Sequence, residues 1–270
     1  MADPTSLRHA YAVLIGSRAR AQAGYRASFA LELLANVGLG LVEFAEVFVV
    51  FHNVRLFGGL DFTAAALVFG LSNLGFALGD LAVGNMDQVP QLIRSGTFDV
   101  LLLRPLPLLA QLATAELVLR RLGRAAFGAG VLAVALPLAD VDWTAGRVAL
   151  AVATPLAGAV LFGALFVTAG AVQFWLIDGA EFTSAFTYGS EYAGQFSAAV
   201  MPLPVRVLFT FVVPATFTGY LPALALLGLP GPAWLPAWLG WWVPLAALLA
   251  WLGALGAWRL GVRHYEGAGG

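Results

Sequence analysis

Cysteine and lysine are both missing from this sequence. Without cysteine there are no disulfides and no thiolate metal sites. Without lysine, all 14 basic residues are arginine. A Walker P-loop needs a lysine on the phosphates, and a Schiff-base enzyme needs a lysine amine. Neither can be built here. Histidine is confined to His9, His52 and His264, which form no HExxH motif and no cluster. Gly70-Leu71-Ser72-Asn73 departs from the GxSxG elbow, and Ser190 has no local base. No enzyme chemistry, metal site or cofactor is therefore expected on this chain. Charge is scarce too, at 11% of residues against about 25% in soluble domains. A net charge of −1 with scattered arginines argues against a nucleic-acid partner.

What is abundant is apolar surface. The chain is 60% hydrophobic with a mean hydropathy of +0.86, which makes it an integral membrane protein. Clear spans of about 20 apolar residues are expected near 28–51, 63–85, 112–138, 147–176 and 237–260. A loop at roughly 52–62 holds Gly58-Gly59, and Asp140-Val141-Asp142-Trp143 makes a polar turn. Arg120, Arg121 and Arg124 near the start of the third span are long enough to snorkel to the surface, and Glu116 pairs favourably with Arg120. Trp238, Trp241 and Trp242 at one end of the last span, and Trp258 at the other, read as interfacial belts. Residues 7–26 are too short an apolar run for a signal peptide. They read as a helix lying on an anionic inner leaflet or as a basic flank of the first span. No repeat or soluble domain is visible.

The best-marked break between hydrophobic blocks is 86–107, MDQVPQLIRSGTFDVLLLRPLP. Asp87 ahead of Pro90 reads as a capped helix start. Ser95-Gly96-Thr97 reads as a turn, Phe98–Leu103 as a second helical piece, and Arg104-Pro105-Leu106-Pro107 as its stop. Two uses suit such a knob. It is either a rigid grip for a soluble partner or a connector that parks Leu101–Leu103 among the headgroups.

Three polar stripes run through the apolar blocks. Glu32, Asn36, Glu43 and Glu46 fall within about 80° on a helix. Asn73 and Asp80 share a face seven residues apart, and Glu181, Ser184, Tyr188, Glu191 and Gln195 step by three and four. Intramembrane acids should face protein or a wet cavity. Glu32 and Asp80 read as structural partners of one another or of the arginines. The deeper Glu43, Glu46 and Glu191 read as lining a path, with Asn73, Tyr188 and Gln195 beside them. Tyr192, Phe196 and Phe186 add aromatic surface for an amphipathic ligand. On the residues alone, a stand-alone proton- or ion-coupled transporter using these acids is the alternative.

Charge sets the number of crossings. With 86–107 inside, the inner side collects most of the arginines, and the outer loops hold only Arg55 and Arg147. Arg259, Arg263 and His264 also belong inside, so the number of spans is even. Only one of two remaining stretches then crosses. Residues 180–200 carry Glu181 and Glu191. Residues 201–228 are more apolar but are cut by Pro202, Pro204, Pro214 and Pro222.

Three stretches, taken in order, carry a family resemblance: Ile93-Arg94-Ser95-Gly96-Thr97-Phe98-Asp99-Val100-Leu101-Leu102-Leu103-Arg104-Pro105-Leu106; Met201-Pro202-Leu203-Pro204-Val205-Arg206 with Val213-Pro214-Ala215; and Leu260-Gly261-Val262-Arg263-His264-Tyr265-Glu266. They resemble the membrane-spanning permease subunits of type-2 ABC exporters, in particular the bacterial six-helix ABC-2-like permeases. The resemblance covers nearly the whole chain. It implies an all-α fold of six spans in one permease domain (28–270), preceded by a cytoplasmic amphipathic connecting helix at 1–27. By the same resemblance, 86–107 would be the coupling region on a cytoplasmic ABC ATPase dimer. Gln91, Arg94, Phe98, Asp99 and Arg104 would be its contacts. Residues 180–200 would span, and 201–228 would form a re-entrant hairpin, which leaves Arg206 outside. A second permease copy or a related chain would complete the path. ATP and magnesium would be bound by the ATPase, not here. The setting would be the bacterial cytoplasmic membrane with both termini inside, and the direction would be export of a small amphipathic or drug-like molecule.

Overall fold

A computed structural model describes residues 26–115, 121–176, 179–232 and 234–265. The expected connecting helix at 1–27 lies almost wholly outside these residues, as do Glu116 and Arg120. The described residues are helical and form no sheet; one isolated bridge joins Phe57 and Leu60.

The first helix, α1, is Arg26–Asn53. Its 28 residues extend about 42 Å at 1.5 Å per residue, more than the ~30 Å hydrocarbon layer. A tight turn follows. Gly58 and Gly59 have φ of +57° and +78°, values that favour glycine, and Phe57 and Leu60 exchange backbone hydrogen bonds of 2.9 and 3.1 Å across them. Asp61 then caps α2, Phe62–Val83, by accepting from the Ala64 N–H at 2.8 Å.

Short pieces come next: a 3-10 turn at Gly84–Gln88, α3 at Val89–Arg94, α4 at Thr97–Leu102 and α5 at Leu108–Ala113. The turn at Gly96 has φ +68°, and Pro107 precedes α5. Asp87 does not cap α3 as expected. Gln88 holds that position without a side-chain bond, and Asp87 accepts from the Tyr188 hydroxyl instead.

The third long helix, α6, is Arg121–Leu138, so it begins later than residue 112. Thr144 caps α7, Ala145–Val172, accepting from the Arg147 N–H at 3.3 Å. The helix in 180–200 is α8, Ala180–Gly194. At 15 residues it is shorter than the ~20 needed to cross unaided. The next stretch bends by 71° between Leu203–Val212 and Ala215–Leu227, at the break that Pro214 makes. It contains α9, Leu203–Val207, and α10, Tyr220–Leu227. The last helix, α11, is Val243–His264, entered through a 3-10 turn at Ala237–Trp242. Among the described residues, five helices are long and apolar enough to cross a membrane, or six if the bent pair is one span.

The core lies where α7 packs against α2 on one side and α11 on the other. Gly75 and Gly158 make the α2–α7 crossing close. A Cβ on Gly75 would stand 3.2 Å from the Gly158 Cα, and the small-residue contact replaces the side chains that would hold the helices apart. Phe76 and Phe162 meet edge to face beside it, centroids 5.1 Å apart. By contrast α1 rests mainly on α6 and leaves Leu31, Leu34, Leu39, Val42 and Val49 more than half exposed. Trp258 departs from its expected place in an interfacial belt. It is buried at 6% exposure against Phe174.

Candidate functional site

Arg124 organises the polar stripes. It lies on the inner face of α6, where Gly123 permits close approach: a Cβ on Gly123 would stand 2.7 Å from the Leu33 carbonyl of α1. One guanidinium nitrogen of Arg124, Nη2, lies 2.6 Å from Glu43 Oε1 of α1 and 2.7 Å from Glu191 Oε1 of α8. The guanidinium also sits 4.8 Å from the Phe76 ring centroid, a cation–π contact. Asn73 Nδ2 donates to Glu43 Oε2 at 3.4 Å, and Gln195 Nε2 donates to Glu191 Oε1 at 3.3 Å. Glu43, Asn73, Glu191 and Gln195 thus gather around one cation of α6, drawn from three other helices and the turn after α8. The chemical reason is burial. Glu191 is 4% exposed, and a charge so placed needs a hydrogen-bonded counter-ion.

Arg124 therefore does not snorkel as expected. Arg121 turns inward as well. Its Nε lies 3.2 Å from Asp80 Oδ2, and its Nη1 donates to the Asp80 carbonyl at 2.8 Å and to Asn85 Oδ1 at 3.4 Å. Asp80 is in this way a structural partner of an arginine. The signal was present in the spacing: Arg121 and Arg124 are three apart, so one helix face carries both to the acids of the neighbouring spans.

Glu46, Tyr188 and Tyr192 stay outside the Arg124 cluster. Tyr192 donates to Glu46 Oε2 at 2.9 Å, joining α8 to α1. Tyr188 donates to Asp87 Oδ2 at 3.1 Å, joining α8 to the segment before α3. Tyr188 also packs on Phe76 with centroids 5.7 Å apart, and Tyr192 on Phe196 at 4.9 Å. These two tyrosines are 42% and 54% exposed. Glu32 is exposed, and its backbone carbonyl accepts from Asn36. Buried Asn73 Oδ1 has no hydrogen-bond partner among the described residues. No group of three metal-ligating acids or histidines occurs among them.

At the end of α2, the 84–113 segment is braced by its own side chains and by the end of α11. Asn85 Nδ2 donates to the Ala113 carbonyl, and Gln111 Nε2 donates to the carbonyls of Leu101 and Leu106. Tyr265, just past α11, donates to Asp99 Oδ1 at 2.9 Å. Of the five expected partner contacts, Gln91, Arg94 and Arg104 are exposed and Asp99 is half-buried. Phe98 is a correction: it is fully buried, edge to face with Phe174 at 5.2 Å and with Tyr265 at 4.9 Å. An aromatic ring at the junction of three segments gains more from the core than from a surface, and it offers a partner no area. Leu103, in contrast, is 86% exposed.

Residues 37–269 match the family described as ABC-2 family transporter protein. No match was found among curated proteins or among solved structures. The matched stretch contains α2 to α11, the Arg124 cluster and the 84–113 segment, and the family lacks ATPase activity. This multi-pass membrane protein belongs to the ABC-2 transporter family and is the membrane permease component of such a transporter.

Proposed function

We propose that this permease moves a small amphipathic molecule out of the cell, along a path that two permease chains enclose with α1, α2 and α8. The observation that carries this reading is the exposure of Glu46, Tyr188 and Tyr192 on α1 and α8, which this reading sets in the membrane. Polar groups there are costly against lipid and face protein or a wet cavity instead. The tyrosine rings, with Phe76 and Phe196 behind them, supply a surface for an apolar body. The carboxylates supply polar contacts. A second copy of the chain or a related one closes the cavity, and α8 reaches through the membrane with the help of the turn that follows it. Residues 203–227 then enter and return on the outer side, which preserves an even number of crossings with both ends inside.

A separate cytoplasmic ATPase dimer, holding ATP and magnesium, docks on 86–107 through Gln91, Arg94, Arg104 and the exposed edge of Asp99. Nucleotide-driven closure displaces this segment, and Phe98 passes the displacement to α7 and α11. Such coupling requires that nucleotide bind the two states with different free energies. The test is co-purification of this chain with its cognate ATPase, followed by vanadate-sensitive hydrolysis in lipid nanodiscs. Arg94→Ala and Arg104→Ala should lower co-purification and hydrolysis while the chain stays folded. A folded chain that binds no ATPase overturns the reading.

A further inference from the structure

A groove of about 640 Å³ opens between α1, α2 and α6, along α6 from Ala126 to Leu138. Val37, Leu41, Phe44, Phe62, Phe127 and Val134 define it, and Thr63 is its only polar lining residue. A second cavity of about 280 Å³ lies at the end of the bundle where the 54–61 and 139–144 turns meet. Thr63 and Leu138 line both cavities, so the two are neighbours. The second cavity is of mixed character, with Asp61 and Asp140 beside leucines in its wall and no basic residue among its lining. The nearby Arg147 is engaged by Asp142, at 3.3 Å from its carboxylate and 2.9 Å from its carbonyl.

Apolar length, a size within the usual range of ligand pockets, and an acidic mouth together specify an occupant. We propose that this paired cavity binds a cationic amphiphile, with its single apolar tail in the groove and its ammonium head between Asp61 and Asp140. An uncharged tail satisfies only the groove, and an anionic head meets two carboxylates. Neither Arg124 nor Glu43 nor Glu191 lines it, and binding there needs neither ATP nor a partner ATPase.

The test is scintillation-proximity binding of radiolabelled dodecyltrimethylammonium to the purified chain in nanodiscs. Saturable binding is expected, displaced by unlabelled ligand, weakly by dodecanol and not by dodecyl sulfate. The double variant Asp61→Asn with Asp140→Asn should weaken binding roughly tenfold, the sum of two partly exposed charge contacts. Asparagine still caps α2, so folding is retained. Gly130→Leu should abolish the saturable component. Gly130 lines the groove, a Cβ there meets nothing within 4 Å, and leucine favours the helix more than glycine does. Equal displacement by dodecanol would assign the groove to bulk lipid tails and overturn the proposal. So would binding that survives Gly130→Leu, or binding lost in Glu46→Gln, which would place the ligand in the path instead.

Discussion

The Tyr265 hydroxyl donates to Asp99 across 166 positions of sequence, and the ring of the same tyrosine packs on Phe98. The end of α11 therefore clamps the segment proposed to meet the ATPase. Two consequences separate packing from docking here. Phe98→Ala removes a fully buried ring, at a cost of about 3–5 kcal/mol, and should lower the detergent melting temperature as well as ATP hydrolysis in the complex. Tyr265→Phe keeps the ring contact and removes only the hydroxyl bond, about 1 kcal/mol. It should leave the melting temperature nearly unchanged. If Phe98→Ala melts like the parent chain, the buried placement of Phe98 is wrong.

Arg124 offers a charge test. Arg124→Met leaves Glu43 and Glu191 facing one another without a counter-ion, in a site where side-chain exposure is 28% and 5%. Removing one partner of a buried pair costs about 3–5 kcal/mol, because the remaining charge is stranded. The variant should therefore fold poorly. Adding Glu43→Gln and Glu191→Gln to it should restore most of the loss, since no stranded charge is left. Transport by the triple variant should still be impaired if these acids line the path. Thermal melting and transport, measured on the same preparations, separate the structural part of the cluster from its functional part.

Much of this was legible in the residues. Composition dictates membrane insertion, and Gly96 between Ser95 and Thr97 marks its turn because few other residues tolerate φ +68°. Pro214 marks the bend of 71°. What escaped is tertiary. Arginines at a helix start read as interfacial until the acids of α1, α2 and α8 are seen to converge on them. Phe98 and Trp258 lie in segments whose local pattern suits a surface, and only the meeting of α4, α7 and α11 buries them. The helical spacing of 180–200 does not mark where α8 ends, because Gln195 continues it although the backbone turns after Gly194.

The close approach of α2 and α7 predicts a steric effect with no polar component. Gly75→Val places its Cβ 3.2 Å from the Gly158 Cα, with further methyls beyond it. The helices must separate, and overpacking of this kind costs about 1–3 kcal/mol. Gly253→Val is the control, because a Cβ at Gly253 meets nothing within 4 Å. The first variant should melt well below the parent chain and the second close to it. Equal melting would mean that α2 and α7 do not cross at these glycines.

Because the chain has no cysteine, single cysteines report topology without a background. Ser95→Cys should resist a membrane-impermeant maleimide in intact cells and react after permeabilisation, if the 86–107 segment is inside. Asp142→Cys should react in intact cells. The bent pair is decided by its two flanks, Ala199→Cys and Pro230→Cys. A segment that dips in and returns leaves both on the outer side, and both should label in intact cells. A single broken span places them on opposite sides, and only one should label. In that case α8 does not cross, because an even number of spans is needed to keep Arg94 and Arg263 on the same inner side. Glu191 would then lie on a helix that enters the membrane without traversing it, and the proposed path would lose one of its three walls.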